Sequence, residues 1–232
     1  GANLVEAFPP ETVNPGDVFI CNDPWLCNGQ TADVFITTPA FHKGKLVGFA
    51  VNTIHHVDIG GRKGSGLSEE VFEEGLIIPM LRLYDAGEPN EMLFDLIRRN
   101  VRYSEKMIGD LRAQVATGWA GCREMERLCD EFGFADLKEV SDEITGRTEA
   151  GIRAGLRELP DGEWREEMMM DIDGIDEPQP LVVSVKIEGD QIYVDFDGTA
   201  PQVRRPVNCP INFSRAYVAV PVKMICDPSL PN

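Results

Sequence analysis

The sequence predicts an α+β fold, with β-rich N- and C-terminal segments flanking a helical middle, as a fragment of a larger subunit. Short, alternating, β-branched runs occupy residues 1–66 and 161–232. Apolar residues recurring every three or four positions dominate residues 67–160. The chain opens on Gly rather than Met, and its last residues, "ICDPSLPN", follow an apolar run that reads as a strand. Both ends are expected to lie inside a longer polypeptide.

In the first segment, "DVFI", "DVFITT" and "KLVGFAVNTI" read as strands. "NPGD" at 14–17 has turn chemistry, and "HKGK" at 42–45 reads as a hairpin turn. The strand at 45–54 is apolar on both faces, which predicts a central position with His55 at its C-terminal end. In the middle segment, Ser68 followed by Glu69 and Glu70 has the form of a helix start. A longer helix is expected at about 104–132, with Ile108, Leu111, Val115, Cys122, Met125, Leu128, Cys129 and Phe132 on its apolar stripe and Gly133 as its stop. A charged helix follows at roughly 135–158, ending before Pro160. In the last segment, "LVVSVKIEGDQIYVDFDG" is the plainest hairpin, turning at "EGDQ". "EEMMMDIDGID" offers a further strand. Its "DIDGID" resembles a calcium loop only in part and reads as a surface turn, as do Asp195 and Asp197.

The formal net charge of −17 argues against nucleic acid and anionic membrane surfaces, which would repel the chain. No run of 18 apolar residues is present to span a bilayer. The six cysteines, at 21, 27, 122, 129, 209 and 226, include no C-x-x-C pair, so a zinc knuckle is not indicated. Cysteines placed on an apolar helix stripe fit a reducing cytoplasm.

One polar constellation calls for a chemical explanation. Gln30 and Asp33 stand three apart in "NDPWLCNGQTADVF", and "NTIHHVDIGG" brings His55, His56 and Asp58 at a predicted strand end. A carboxylate, an imidazole and an amide oxygen on one side of a turn and a strand end can form a facial ligand set for Fe, Mn or Zn. Asp58 then serves as a further ligand or orients a histidine. The competing reading is a polar turn, with Asp33 capping it and Gln30 satisfying backbone groups. The glycine-rich "DIGGRKGSG" at 58–66 can cradle an anion through backbone N–H groups or simply connect elements. It lacks the spacing of a Walker A loop or a dinucleotide fingerprint. No G-x-S-x-G elbow is present, and Cys27 is read as a packing residue rather than a nucleophile.

"PGDVFICNDPW", "TADVFITTPAF", "HHVDIGG", "EGLIIP", "NVRYSEKMIGDLRAQVA" and "VDFDGTAPQ" follow one another in a recognisable order. The chain resembles the hydantoinase B/5-oxoprolinase family over essentially its whole length. That family includes N-methylhydantoinase B subunits and relatives in acetone and acetophenone carboxylases. The resemblance implies one part of a larger hetero-oligomer. In it a hydantoinase A-type partner spends ATP to activate the substrate, and the B-type part completes the reaction on a small molecule. It further implies a divalent metal (Mn, Zn or Fe) held by a His-x-x-Asp pair and a later histidine. Carried onto this chain, these positions are Gln30, Asp33 and His55, so the first histidine of the pattern is a glutamine here. His56 and Asp58 are the candidates for proton handling or support. Arg102, in the "NxRxxxxxxxGDLRAQ" element with Asn100, Asp110 and Gln114, is the candidate for neutralising a phosphate or carboxylate, or else pairs with Asp110. The implied activity is ATP-dependent opening of a cyclic amide such as a hydantoin or oxoproline. The alternatives are a ketone carboxylase subunit, and a non-catalytic scaffold whose metal site has decayed at Gln30.

Overall fold

The computed structural model describes residues 2–27, 29–62, 66 and 68–230, arranged as two units. The first comprises residues 1–64 and 71–139. It starts with the short helix α1 (Ala2–Ala7), followed by β1 (Val18–Cys21), β2 (Asp33–His42) and β3 (Lys45–His55). Then come β4 (Leu81–Asp85), β5 (Glu88–Pro89), α2 (Glu91–Asn100) and α3 (Ser104–Phe132). The strands form one antiparallel sheet in the order β3-β2-β1-β4-β5.

The turns that organise this sheet follow from residue type. At 42–45, Lys43 and Gly44 both have positive φ (50° and 79°), the two-residue turn whose twist matches that of the flanking strands. Ala86 and Gly87 repeat the device between β4 and β5. At 14–17 the Asp17 side chain accepts the Asn14 N–H at 2.9 Å and, across the sheet end, the Ala86 N–H at 2.8 Å.

β1 is buried on both faces. Val18 and Ile20 join Val34, Ile36 and the inward stripes of α2 (Leu93, Phe94, Ile97) and α3 (Met107, Ile108, Leu111, Val115) in the main core. Phe19 points the other way, into a smaller cluster with Leu4 and Val13. β3, expected to be central, is instead an edge strand of the sheet. Its two-faced apolar pattern has a different cause: α3 covers one face, while Val51 and Ile54 on it remain exposed.

α3 matches the expected helix at both ends, and Gly133 closes it in the left-handed conformation (φ 68°) with its N–H on the Cys129 carbonyl. Glycines let α3 lie close on the sheet. A Cβ at Gly118 would stand 2.2 Å from Thr38 Oγ1 and 3.1 Å from Thr38 Cβ, and one at Gly121 would stand 3.0 Å from Ala50 Cβ. Across the interface, the Met125 side chain fills the space where a Cβ at Gly48 would sit.

The segment after the glycine-rich loop departs from the helical expectation for 67–160. Instead of a helix from Ser68, there is one 3₁₀ turn (Val71–Glu73), then extended chain leading into β4 and β5. Gly75 (φ 131°) and Pro79 interrupt helical geometry. The buried Asn22 side chain gives this stretch alternative partners, donating to the Leu76 carbonyl and accepting the Ile78 N–H.

The second unit comprises residues 65–70 and 140–232. It contains nearly all of α4 (Lys138–Arg157), β6 (Gly162–Met170), β7 (Gln179–Glu188), β8 (Gln191–Asp195) and α5 (Ile211–Cys226). β6, β7 and β8 form an antiparallel sheet in that order, and β7 and β8 turn at Gly189 (φ 60°) as the sequence predicts. "DIDGID" lies in a turn after β6, with the Ile175 N–H on the Ile172 carbonyl. The C-terminal apolar run, expected as a strand, is α5. Its Phe213, Tyr217, Pro221 and Ile225 recur at helical spacing and, with Val185 and Val194 of the sheet, line a cavity of about 530 Å³. Valine and proline in this run masked a period that emerges only against the sheet face. Among the described residues, no helix is long and apolar enough to cross a membrane.

Gly118→Ala tests the α3–β2 contact. Ala replaces Gly in a helix with a gain of about 1 kcal/mol. Overpacking against a β-branched neighbour costs roughly 1–3 kcal/mol. The net expectation is a loss of up to about 2 kcal/mol in a denaturant melt, with Gly121→Ala affected less.

Candidate active site

β2 and β3 begin their ladder with Asp33 opposite His55. Residues paired across an antiparallel ladder share a face. The two side chains meet, with His55 Nδ1 2.7 Å from Asp33 Oδ1. Asp33 is buried while the His55 side chain is largely exposed, so the pair sits at a surface with its carboxylate end rooted in the sheet. Gln30 lies in the turn before β2, where its carbonyl accepts the Asp33 N–H at 3.3 Å. It is exposed, and its side chain makes no hydrogen bond among the described residues.

His56 extends the ladder by one residue, its N–H on the Ala32 carbonyl at 2.8 Å. Strand alternation sends its ring to the opposite face. There it is buried against α3, with Nε2 3.0 Å from Gln114 Oε1. Burial pushes the His56 pKa down, against the raising effects of Gln114 and Asp110. The two adjacent histidines therefore occupy different environments: His55 stands beside Asp33 at the surface, and His56 lies behind the pair in the helix–sheet interface.

Asp58 neither orients a histidine nor joins the Asp33–His55 pair. Its buried carboxylate accepts from the Gly60 N–H at 3.2 Å, the Tyr103 N–H at 3.4 Å, the Arg102 N–H and the Arg102 guanidinium (Nη1, 2.8 Å). Burial works to raise its pKa, but these donors together outweigh burial and hold the carboxyl below the ordinary carboxylate range. Arg102 pairs with Asp58 rather than with Asp110, and its Nη2 donates to the Gly61 carbonyl at 2.5 Å. The guanidinium is half exposed, and its five N–H groups exceed these two acceptors, leaving donor capacity for an anion.

The same loop shapes a cleft of about 390 Å³ lined by Gly61, Phe72, Gly75, Leu76, Ile77 and Asn100. Glycine is required at Gly60 and Gly61, where an added Cβ would stand 2.5 Å from the Asn100 carbonyl oxygen and 2.4 Å from the Glu73 carbonyl oxygen. Within the anion-cradling stretch expected at 58–66, Lys63, Gly64 and Ser65 lie outside the described residues.

Two supporting residues were not assigned roles from sequence. Asn22 ties the Asp-Pro turn to residues 76–78 and also donates to the Thr31 carbonyl, inside the Gln30–Asp33 turn. Gln114 reaches from α3 to the start of β2 and the end of β3. The sequence signals for Gln114 are its place in the "GDLRAQ" element and its polarity on an otherwise apolar helix stripe.

Cis ligands of a divalent ion at metal–ligand distances near 2.1 Å stand roughly 3 Å apart. At 2.7 Å the Asp33 and His55 atoms are somewhat closer than that, in direct hydrogen-bond contact with each other. Among the described residues, no three His, Cys, Asp or Glu side chains group into a metal-binding set. A third donor from this chain would be Gln30.

Comparison with known proteins places the chain in a family. Residues 2–232 match the Hydantoinase B/oxoprolinase family model, and the chain belongs to that family. The β subunit of caprolactamase from Pseudomonas jessenii is 30% identical over 208 residues, covering 88% of this chain and 36% of the relative. The crystal structure of ATP-dependent caprolactamase from the same organism superposes with a TM-score of 0.87 at 29% identity, over 95% of this chain and 38% of that one. Nucleotide-free acetone carboxylase shares the fold at 18% identity, with a TM-score of 0.84 over 98% of this chain and 32% of that one. The chain spans 18–41% of the length of the curated relatives it matches.

Asp58→Ala removes a buried carboxylate that satisfies several donors, which is expected to cost about 3 kcal/mol. Because its folded pKa is depressed, Asp58 contributes fully above the unfolded value of about 3.9. That contribution is lost as pH falls below this value toward the folded pKa. Urea melts between pH 7 and pH 3 should show a steeper acid loss in the wild type than in Asp58→Asn.

Proposed function

We propose that this chain is part of the B-type subunit of an ATP-dependent amidohydrolase that opens a cyclic amide such as a hydantoin or oxoproline. The Asp33–His55 pair is the observation that carries this reading, within a family whose members include the caprolactamase β subunit. A hydantoinase A-type partner spends ATP to activate the amide oxygen. The γ-phosphoryl group passes to that oxygen and ADP leaves. Water then adds to the carbonyl carbon, and the ring C–N bond breaks as the nitrogen takes up a proton. A second water releases phosphate from the resulting acyl phosphate, leaving the free carboxylate.

Asp33 and His55 hold a divalent cation (Mn, Zn or Fe), with the Gln30 amide oxygen as a neutral third donor. When bound, such an ion supplies Lewis-acid polarisation of the carbonyl. Arg102, braced by Asp58 and the Gly61 carbonyl, meets the anionic group of the activated substrate. His56, neutral in its buried position, is placed for support behind the pair rather than beside it. The six free cysteines fit a reducing cytoplasm.

Gln30 favours a second reading, a scaffold subunit whose metal site has decayed, because an amide oxygen binds transition metals less well than imidazole. Metal analysis of the full-length subunit separates the two. About one ion per subunit in the wild type, lost in His55→Ala and Asp33→Ala, supports the catalytic reading. No ion in the wild type, with one gained by Gln30→His, supports decay. ATP turnover with the partner subunit should be stimulated by lactams. Stimulation only by a ketone with bicarbonate would instead identify a carboxylase.

A further inference from the structure

Gln114 is almost completely buried in α3, and both ends of its amide are committed. Nε2 donates to the Val34 carbonyl at 2.9 Å. A carbonyl oxygen can only accept, so this contact fixes which end of the amide is nitrogen. Oε1 must then be the end facing His56 Nε2 at 3.0 Å. An amide oxygen also only accepts, so His56 carries its proton on Nε2.

The other ring nitrogen completes the assignment. His56 Nδ1 is buried and has no hydrogen-bond partner among the described residues. Protonated, it would bury an N–H without an acceptor, and an imidazolium would bury a charge as well. The neutral ring with Nε2–H and a bare Nδ1 is the form this environment accommodates.

The partners of Gln114 are significant for where they stand. Val34 follows Asp33, and His56 follows His55, the two residues paired across the ladder on the opposite face. The Gln114 carbonyl also accepts from Asn52 Nδ2 at 3.0 Å, a third tie and one made to β3 itself. One residue of α3 therefore spans both strand ends immediately behind the Asp33–His55 pair.

We propose that Gln114 is a positioning residue whose amide holds His56 as the Nε2–H tautomer and clamps the ends of β2 and β3 that present Asp33 and His55. The tautomer follows from hydrogen-bond geometry alone, whereas its consequence for turnover rests on the amidohydrolase reading.

The test uses the full-length subunit labelled with ¹⁵N-histidine. Long-range ¹H–¹⁵N correlation spectra above neutral pH report the tautomer, with His56 identified by signals lost in His56→Gln. The wild type is expected to show a single Nε2–H form. Gln114→Leu, similar in size but without the amide, should give mixed tautomers. With the ATP-using partner, it should also lose roughly tenfold or more in kcat, the range seen when groups behind ligands are removed, with little change in KM. Gln114→Glu keeps an acceptor for Nε2 and should retain the wild-type tautomer. An Nδ1–H form in the wild type would overturn the proposal, as would an unchanged pure Nε2–H form in folded Gln114→Leu. If circular dichroism shows that Gln114→Leu does not fold, an Nδ1–H form in Gln114→Glu overturns it and an Nε2–H form supports it. A wild type with the Nε2–H tautomer but no lactam-stimulated turnover keeps the clamp and removes only the amidohydrolase reading.

Discussion

Helix α3 lies on the β2–β3 hairpin at a distance that ordinary side chains would not permit, and the rest of the first unit depends on that approach. Gly118 and Gly121 on the helix and Gly48 on the strand leave the space into which Thr38, Ala50 and Met125 fit. A helix seated this close places Leu111 and Val115 in the main core and brings Gln114 within hydrogen-bond reach of Val34 and His56. Because glycine carries a conformational cost inside a helix, a shorter distance to the sheet is the gain that offsets it.

The hairpin then divides chemistry between its faces. Successive residues of a strand point to opposite sides. His55 meets Asp33 on the accessible face while His56, next in sequence, is locked into the dry interface. A hydrogen-bonded imidazole buried against α3 thus lies behind an exposed imidazole–carboxylate pair. Asp58 plays a comparable part for the loop that follows. Its carboxylate gathers donors from Gly60, Arg102 and Tyr103, so the glycine-rich turn and the start of α3 are held by one buried anion. The guanidinium left half exposed by this arrangement is held in a fixed orientation by Asp58 and the Gly61 carbonyl.

Membership of the Hydantoinase B/oxoprolinase family and the likeness to a caprolactamase subunit give this geometry its setting. Gln30, exposed ahead of β2, is where the resemblance read from the sequence expects a histidine. It stands in the turn that Asn22 braces through the Thr31 carbonyl, one turn away from the paired carboxylate, and offers a neutral oxygen rather than an imidazole.

Local chemistry in the sequence determined the hairpins at 42–45 and 188–191, both ends of α3, and the pairing candidates Asp33 and His55. Each depends on neighbours a few residues apart: positive-φ turn residues, a glycine stop, an alternating strand, an ordered set of motifs. Tertiary structure decided what contacts between distant residues control. β3 reads as central because it is apolar on both faces, yet only the packing of α3 shows that a helix, not another strand, covers it. Residues 76–78 and 81–85 leave the helical expectation because Asn22 and β1, more than 50 positions earlier, supply their hydrogen bonds. The run before Cys226 becomes a helix against a sheet face that the run itself does not encode. Arg102 could have joined Asp110 on its own helix or Asp58 from the loop. The carboxylate already enclosed by backbone N–H groups is the partner it takes, because a buried anion gains most from a nearby cation.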